Sequence, residues 1–280
     1  MKASRANAIE SLKNPQYWLL AIAAGLISIH LTLTWKADNS DFLGNSFLFW
    51  LAVSTLVWDK RHKLNLESGI FASLLGISMI GILLIKSASM TSFGGFLYIS
   101  PVIFALGLAL LASGFQGLKQ YKGELISLFF LGIPKLIPSS LINTSPLTAK
   151  ASAFILWYTG FKVTRDGVNI YLPKGSVEVA SGCSGIEQIF QMLGLGILFI
   201  LMFSLSQKAK IVVPIVAATL GFLVNAGRVS LMAVIVETGD KQAFKYWHDG
   251  DGSLVFSLIS VFLFGFFCWF LIRENIPNHQ

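Results

Sequence analysis

The chain has 280 residues, of which 54% are hydrophobic and only 12% charged. Soluble domains carry about 25% charged residues, and the mean hydropathy here is positive, so a soluble globular class is excluded. The formal charge of +7 is placed in segments between apolar runs, which points to membrane topology rather than to nucleic-acid binding.

In chain order, apolar runs suited to crossing a hydrocarbon core, about 17–25 residues each, fall near Tyr17–Thr34, Phe42–Trp58, Gly69–Ile85, Gly94–Ser113, Leu125–Ile137, Ser184–Leu205, Ile211–Val236 and Leu254–Leu271. Leu125–Ile137 is short, broken by Pro134 and followed by Pro138, and is read as the fifth of eight spans. With the N-terminus (Lys2, Arg5, Lys13) inside, the inner segments carry Lys60, Arg61, Lys63, Lys119, Lys122, Lys208, Lys210 and Arg273. The short outer loops carry Lys36, Lys86, Lys241 and Lys245. This positive-inside pattern predicts a plasma (inner) membrane protein with both termini cytoplasmic. Lys135, Lys150, Lys162, Arg165 and Lys174 fall in or beside the one long outer segment, where charge is less informative, because long loops translocate largely regardless of it. Trp35, Trp58 and Trp269 near span ends suit an interfacial belt. The first run lacks a small-residue cleavage site and further spans follow at once, so it reads as a retained helix.

The first four spans hold little chemistry. Their Ser, Thr and Gly residues suit close helix approach in lipid, and His30 is expected to fill a satisfied packing role. Between Leu141 and Gly182 the character changes. Ser145–Gly160 reads as a short amphipathic or interfacial helix, with Pro146 near its start and Gly160 after its end. Phe161–Ala180 alternates around Asp166-Gly167 and Pro173-Lys174-Gly175, the pattern of a small β-hairpin or three-stranded meander. An open sheet edge cannot face lipid, so this element belongs at the outer surface. There it either offers an edge strand to a peptide or merely connects. The expected fold is an all-α polytopic membrane protein of about eight transmembrane helices, with a small extracytoplasmic β element before the sixth. Helices one to five occupy 1–140, the extracytoplasmic segment 141–182, helices six to eight 183–272, and a cytoplasmic tail 273–280.

Val179-Ala-Ser-Gly-Cys183-Ser184-Gly185 places one of two cysteines at the start of the sixth span. Backbone N–H groups and the helix dipole favour a thiolate there. Cys268 lies near the cytoplasmic end of the last span, on the order of 30 Å away across the bilayer. A disulfide, which needs Cα atoms within about 7 Å, is not expected. Arg228, in Asn225-Ala-Gly-Arg228 near the outer end of the seventh span, is an ionisable residue within a span, where function is the default expectation. Snorkelling to the outer headgroups is the plain alternative. Asn225, three residues earlier on the same helical face, is placed to hold the guanidinium. His62 and His279 are cytoplasmic and His30 sits in the first span, which leaves His248 as the outer-loop histidine beside the last three spans. A cysteine nucleophile needs a proton acceptor, usually histidine, and the oxyanion of acyl transfer needs fixed positive charge. Cys183, His248 and Arg228 supply both at a shared depth. Glu187, one turn after Cys183, is the misfit, since a nearby anion raises a thiol pKa; it either pairs with Arg228 or turns to another contact. Ser181 and Ser184 are also hydroxyl nucleophiles, but they require stronger activation than a thiol. The chain holds no Walker loop, His-Glu-x-x-His or Cys-x-x-Cys, nor a Gly-x-Gly-x-x-Gly in strand–helix context, so no metal or other cofactor is expected.

Cys183-Ser184-Gly185-Ile, Asn225-x-x-Arg228 in the following span, and His248 before the last, in that order, resemble the exosortase/archaeosortase family of polytopic membrane transpeptidases. The lead-in Gly167-Val-Asn-Ile-Tyr-Leu-Pro-Lys-Gly175 is similar to the family pattern as well, and the wording Cys-Ser-Gly-Ile-Glu-Gln looks closest to cyanoexosortase, the cyanobacterial branch. The resemblance implies a cysteine transpeptidase that cleaves a C-terminal sorting signal (a short Pro-Glu-Pro-like motif, a transmembrane helix and a basic tail) on exported proteins. It implies transfer of the released carbonyl to a lipid or cell-envelope acceptor. On it, Cys183 is the acyl-forming nucleophile, Arg228 the oxyanion or thiolate stabiliser and His248 the acid/base, on the extracytoplasmic side. Ser184, Gly185, Asn225 and Glu187 are supporting positions, and Glu187 departs from the basic or polar residue expected there. The rival readings are an intramembrane thiol protease that hydrolyses with water and a small-molecule or lipid transporter. Matching Gly/Pro-broken spans in corresponding halves, expected of a transporter, are not seen.

Overall fold

The structure, a computed structural model, describes residues 15–89, 94–137, 141–248, 250 and 252–275. Lys2, Arg5, Lys13, Pro138 and His279 lie outside the described residues. The chain is an all-α polytopic membrane protein with one small sheet among the described residues. Seven described segments are long and apolar enough to cross a membrane: Pro15–Lys36, Phe42–Asp59, Ile70–Ser89, Gly94–Gly132, Ser181–Met202, Gln207–Thr238 and Gly252–Arg273. The chain divides into two compact units, Met1–Ile133 and Pro134–Gln280.

The first unit holds α1 (Pro15–Lys36), α2 (Ser40–Asp59), α3 (Ile70–Ser89), α4 (Gly94–Gly117) and α5 (Lys122–Gly132). The long segment 94–132 is not straight. Gly114 takes φ 65° and ψ −171°, a backbone state open mainly to glycine, and a 3-10 turn over Leu118–Tyr121 follows. Ser113 Oγ then meets Tyr121 Oη at 2.9 Å, while Gly132 lies against the Tyr98 carbonyl at the other end. The chain has reversed, and α5 runs back along α4. The expected fifth span is this return leg, an 11-residue α-helix of about 16 Å. It starts at Lys122, three residues before the expected Leu125, and stops at Gly132, because Pro134 has no N–H to donate and disfavours helical backbone at Ile133.

His30 is fully buried, with Nδ1 3.1 Å from Ser100 Oγ and Nε2 3.1 Å from Ser46 Oγ. The Ser100 hydroxyl already donates to Leu97 O, so Nδ1 donates to Ser100 and Nε2 accepts from Ser46, a tautomer assigned from the network. Both ring nitrogens are satisfied, as packing requires. At the loop ends, Lys60 pairs with the buried Glu124 at 2.7 Å and also donates to Gln120 O. Trp35, Trp58 and Trp269, expected at interfaces, are all exposed.

The second unit holds α6 (Ser145–Tyr158), β1 (Thr164–Asp166), β2 (Asn169–Leu172), β3 (Gly175–Glu178), α7 (Ile186–Met202), α8 (Gln207–Thr238), α9 (Lys241–His248) and α10 (Gly252–Asn275). The strands form an antiparallel meander in the order β1-β2-β3, with Arg165 opposite Ile170 and Ile170 opposite Val177. Alternation buries Ile170 and Leu172 of β2 and leaves Tyr171 exposed. The buried face packs with Ala149 and Leu156 of α6, Val179, and Val229 and Ala233 of α8. Ser152 Oγ donates to Ala226 O at 2.9 Å, and Ser230 Oγ to Ser152 O at 3.2 Å. Thus α6 runs beside the C-terminal half of α8, and β3 reaches its end, where Gly175 sits against Val236. Gly239 (φ 77°) closes α8, and α9 turns back along it.

Candidate active site

The lead-in from β3 delivers Val179 into the core and then makes a 3-10 turn over Ser181–Cys183. Cys183 N–H donates to Ala180 O at 2.9 Å. The long helix α7 does not begin at the cysteine, as the sequence suggested, but at Ile186, after Gly185 in the left-handed region (φ 82°). Gly185 interrupts the helix in a place where an added Cβ would lie 2.5 Å from Asn225 Nδ2. The thiol therefore stands three residues outside the first turn of α7, where the dipole acts less directly.

Against the thiol stands His248, the last residue of α9. Cys183 Sγ and His248 Nε2 are 3.3 Å apart, within sulfur hydrogen-bond reach. The eight residues of α9, about two turns, accomplish this by running back along α8, and Phe244, four residues earlier on the same face, stacks on the imidazole with centroids 5.1 Å apart and planes 13° from parallel. Arg228 of α8 donates from Nη2 to the main-chain oxygen of His248 at 2.7 Å, and its Nε is buried without a hydrogen-bond partner among the described residues. A charged donor left unpaired away from water is costly, about 1–3 kcal/mol or more.

Asn225 is buried, and its Nδ2 donates to Cys183 O at 3.0 Å; among the described residues no hydrogen bond joins it to the guanidinium. Glu187 turns away from Arg228 and pairs with Lys135 at 2.7 Å, with more than half of its side chain exposed. Ser184 is buried, and its carbonyl accepts from both Thr144 Oγ1 (2.8 Å) and Thr148 Oγ1 (2.7 Å). Neither threonine, nor Phe244, stood out in the sequence. The signals were present as Thr144-x-x-x-Thr148 and Phe244-x-x-x-His248, i,i+4 pairs that share a helix face.

The structure thus brings together Cys183, His248, Arg228, Asn225, Ser184 and Gly185, and leaves Glu187 in a separate ion pair. A thiol and an imidazole in direct contact can exchange a proton, and a guanidinium donor next to them adds fixed positive charge. The profile of the family described as transmembrane exosortase matches residues 35–265. The chain belongs to the transmembrane exosortase family. Exosortases are membrane-embedded cysteine transpeptidases that sort exported proteins by C-terminal signals, which sets aside the transporter reading. No curated protein and no solved structure matches the chain.

Proposed function

We propose that this exosortase cleaves a C-terminal signal composed of a Pro-Glu-Pro-like motif, a transmembrane helix and a basic tail through a thioester on Cys183. The observation that carries the proposal is the 3.3 Å contact between Cys183 Sγ and His248 Nε2, reached across 65 residues of chain. Nε2 takes the thiol proton as Sγ bonds to the scissile carbonyl carbon. The tetrahedral intermediate carries its negative charge on oxygen, and the buried Nε of Arg228 is the donor held in reserve for it. Collapse breaks the C–N bond, and His248 returns the proton to the departing amine. An acceptor amine or hydroxyl of a lipid or envelope component then loses its proton to His248 and attacks the thioester. The amide or ester forms and the thiol is restored.

Placement of this chemistry at the extracytoplasmic face of the inner membrane, with cytoplasmic termini, is supported by the charge pattern. Lys208 and Lys210 open α8, and about 30 Å of hydrocarbon at about 1.5 Å per residue takes roughly 20 residues, from Lys210 to about Ser230. Asn225 and Arg228 then sit just inside the outer boundary, while the sheet and the start of α9 stand outside it.

The test is mass spectrometry of a co-expressed protein bearing such a signal. Wild type should give a new C-terminus with an added acceptor mass, and Cys183→Ala should give none. A free carboxylate would assign hydrolysis, and unchanged processing by Cys183→Ala would remove the thiol from the mechanism.

A further inference from the structure

A helix that begins with threonine ordinarily uses the hydroxyl to accept one of its own first N–H groups, a cap worth about 1 kcal/mol. Thr144 stands at the N-cap of α6 and makes no such bond. Its hydroxyl donates across the unit to Ser184 O at 2.8 Å. Thr148, four residues on and fully buried, donates to the same oxygen at 2.7 Å. One main-chain carbonyl, beside the nucleophile, thus takes two hydroxyl donors from another helix. The carbonyl before it, that of Cys183, takes the amide of Asn225 at 3.0 Å, over the bare Cα of Gly185. Four residues further along α6, Ser152 donates to Ala226 O, one residue after Asn225. Residues 144, 148 and 152 recur at i,i+4, so one polar stripe of α6 ties the cysteine turn to α8.

We propose that Thr144 and Thr148 are positioning residues for the reaction at Cys183, holding the Ser184 carbonyl so that Sγ stays within reach of His248 Nε2. The proposal rests on the thiol reading above. Both threonines bond to the main chain of the turn rather than to the thiol or the imidazole. They act through the backbone: with both peptide oxygens of the turn tied, the planes on either side of Ser184 cannot rotate, and the Cys183 side chain projects from a fixed frame. A loosened frame lets the sulfur drift, and a misplacement of about 1 Å at a reacting atom costs on the order of 100-fold in rate. The forgone helix cap is consistent with a hydroxyl selected for its far partner rather than for α6 itself.

The experiment uses the full chain in proteoliposomes with a purified protein carrying the C-terminal signal, in a Cys268→Ser background so that Cys183 is the sole thiol. Thr148→Val keeps shape and removes the donor, and Thr148→Ser restores it. The valine variant should lower kcat on the order of 10- to 100-fold with KM little changed, and serine should recover most of the rate. Iodoacetamide alkylation of Cys183 across pH should shift its profile in the valine variant and return with serine, a readout that a purely structural role would leave in place. Should Thr148→Val fail to fold, Thr144→Val, at a less buried position, carries the same two measurements. Wild-type kcat per folded molecule in the valine variants, or a serine variant as slow as valine, overturns the proposal. Full processing by Cys183→Ala would instead overturn the thiol reading on which it stands.

Discussion

Replacing Arg228 by lysine separates charge from geometry. The substitution keeps one positive charge on α8 but exchanges a planar fork of five N–H donors for a single ammonium centre. In the structure the fork has two duties: Nη2 holds the His248 oxygen at 2.7 Å, and Nε stays buried without a partner among the described residues. One ammonium cannot point at the His248 carbonyl and at a developing oxyanion in different directions. A lysine that keeps His248 in place therefore loses the reserve donor, a loss on the order of 10²- to 10³-fold in kcat. One that reaches for the oxyanion instead releases the end of α9, giving up a charge-assisted bond of about 1.5–3 kcal/mol, on the order of 10- to 150-fold. In the first case the fall lies in kcat, with KM within a few-fold, because on the proposed mechanism the reserve donor acts only in the transition state; in the second it reflects a loosened end of α9. Single-turnover processing in proteoliposomes, normalised to folded protein, measures it. A lysine variant processing at the wild-type rate would refute the reasoning and reduce Arg228 to an interfacial charge.

Three further outcomes follow from other contacts in the structure. His248→Ala removes the proton acceptor 3.3 Å from Sγ and should lower processing at neutral pH by on the order of 10²- to 10⁴-fold, while Phe244→Leu, which removes the ring stacked on it, should cost far less; equal losses would show that α9 folding, not proton transfer, is being read. Glu187→Gln should leave the rate within about fivefold of wild type, because its charge is compensated by Lys135 on an exposed pair worth about 0–1 kcal/mol; a gain or loss well beyond that in the same processing assay would place Glu187 in the thiol's field. His30→Leu deprives Ser46 of its partner, while Ser100 keeps its bond to Leu97 O, at about 1–3 kcal/mol for the group left unsatisfied, so detergent melting should shift downward with processing per folded molecule unchanged.

What the sequence made legible, and what it hid, divides along the range of the forces involved. Apolar runs and loop cations act over whole helices, so span positions, the short helix at 145–158 and the meander were readable from period and turn chemistry. The ends of the fifth span were not, because they are set by a reversal at Gly114 and by Pro134, local backbone events that hydropathy does not weigh. Cys183, Arg228 and His248 stood out because each is chemically rare at its depth. Thr144 and Thr148 did not, since threonine in or near a membrane helix usually bonds its own i−4 carbonyl, as Thr34 and Thr55 do here. Only the fold reveals that their hydroxyls leave the helix for Ser184.

At 32 residues, α8 is about 48 Å long, well beyond the roughly 30 Å of a hydrocarbon core. The surplus gives β3 a surface at Val236 and gives α9 a rail to descend, which returns His248 to the level of Arg228. Had α8 ended near Ser230, an α9 of eight residues turning back from there would have carried the imidazole past the thiol toward the Lys208 end. The stretch from Leu231 to Thr238 thus sets the level along α8 at which His248 meets Arg228. Shortening α8 by one turn there should separate Cys183 from His248 by about 5.4 Å along the axis while leaving every side chain of the site present. Processing that survives such a deletion at the wild-type rate would show that α9 finds the thiol without its rail.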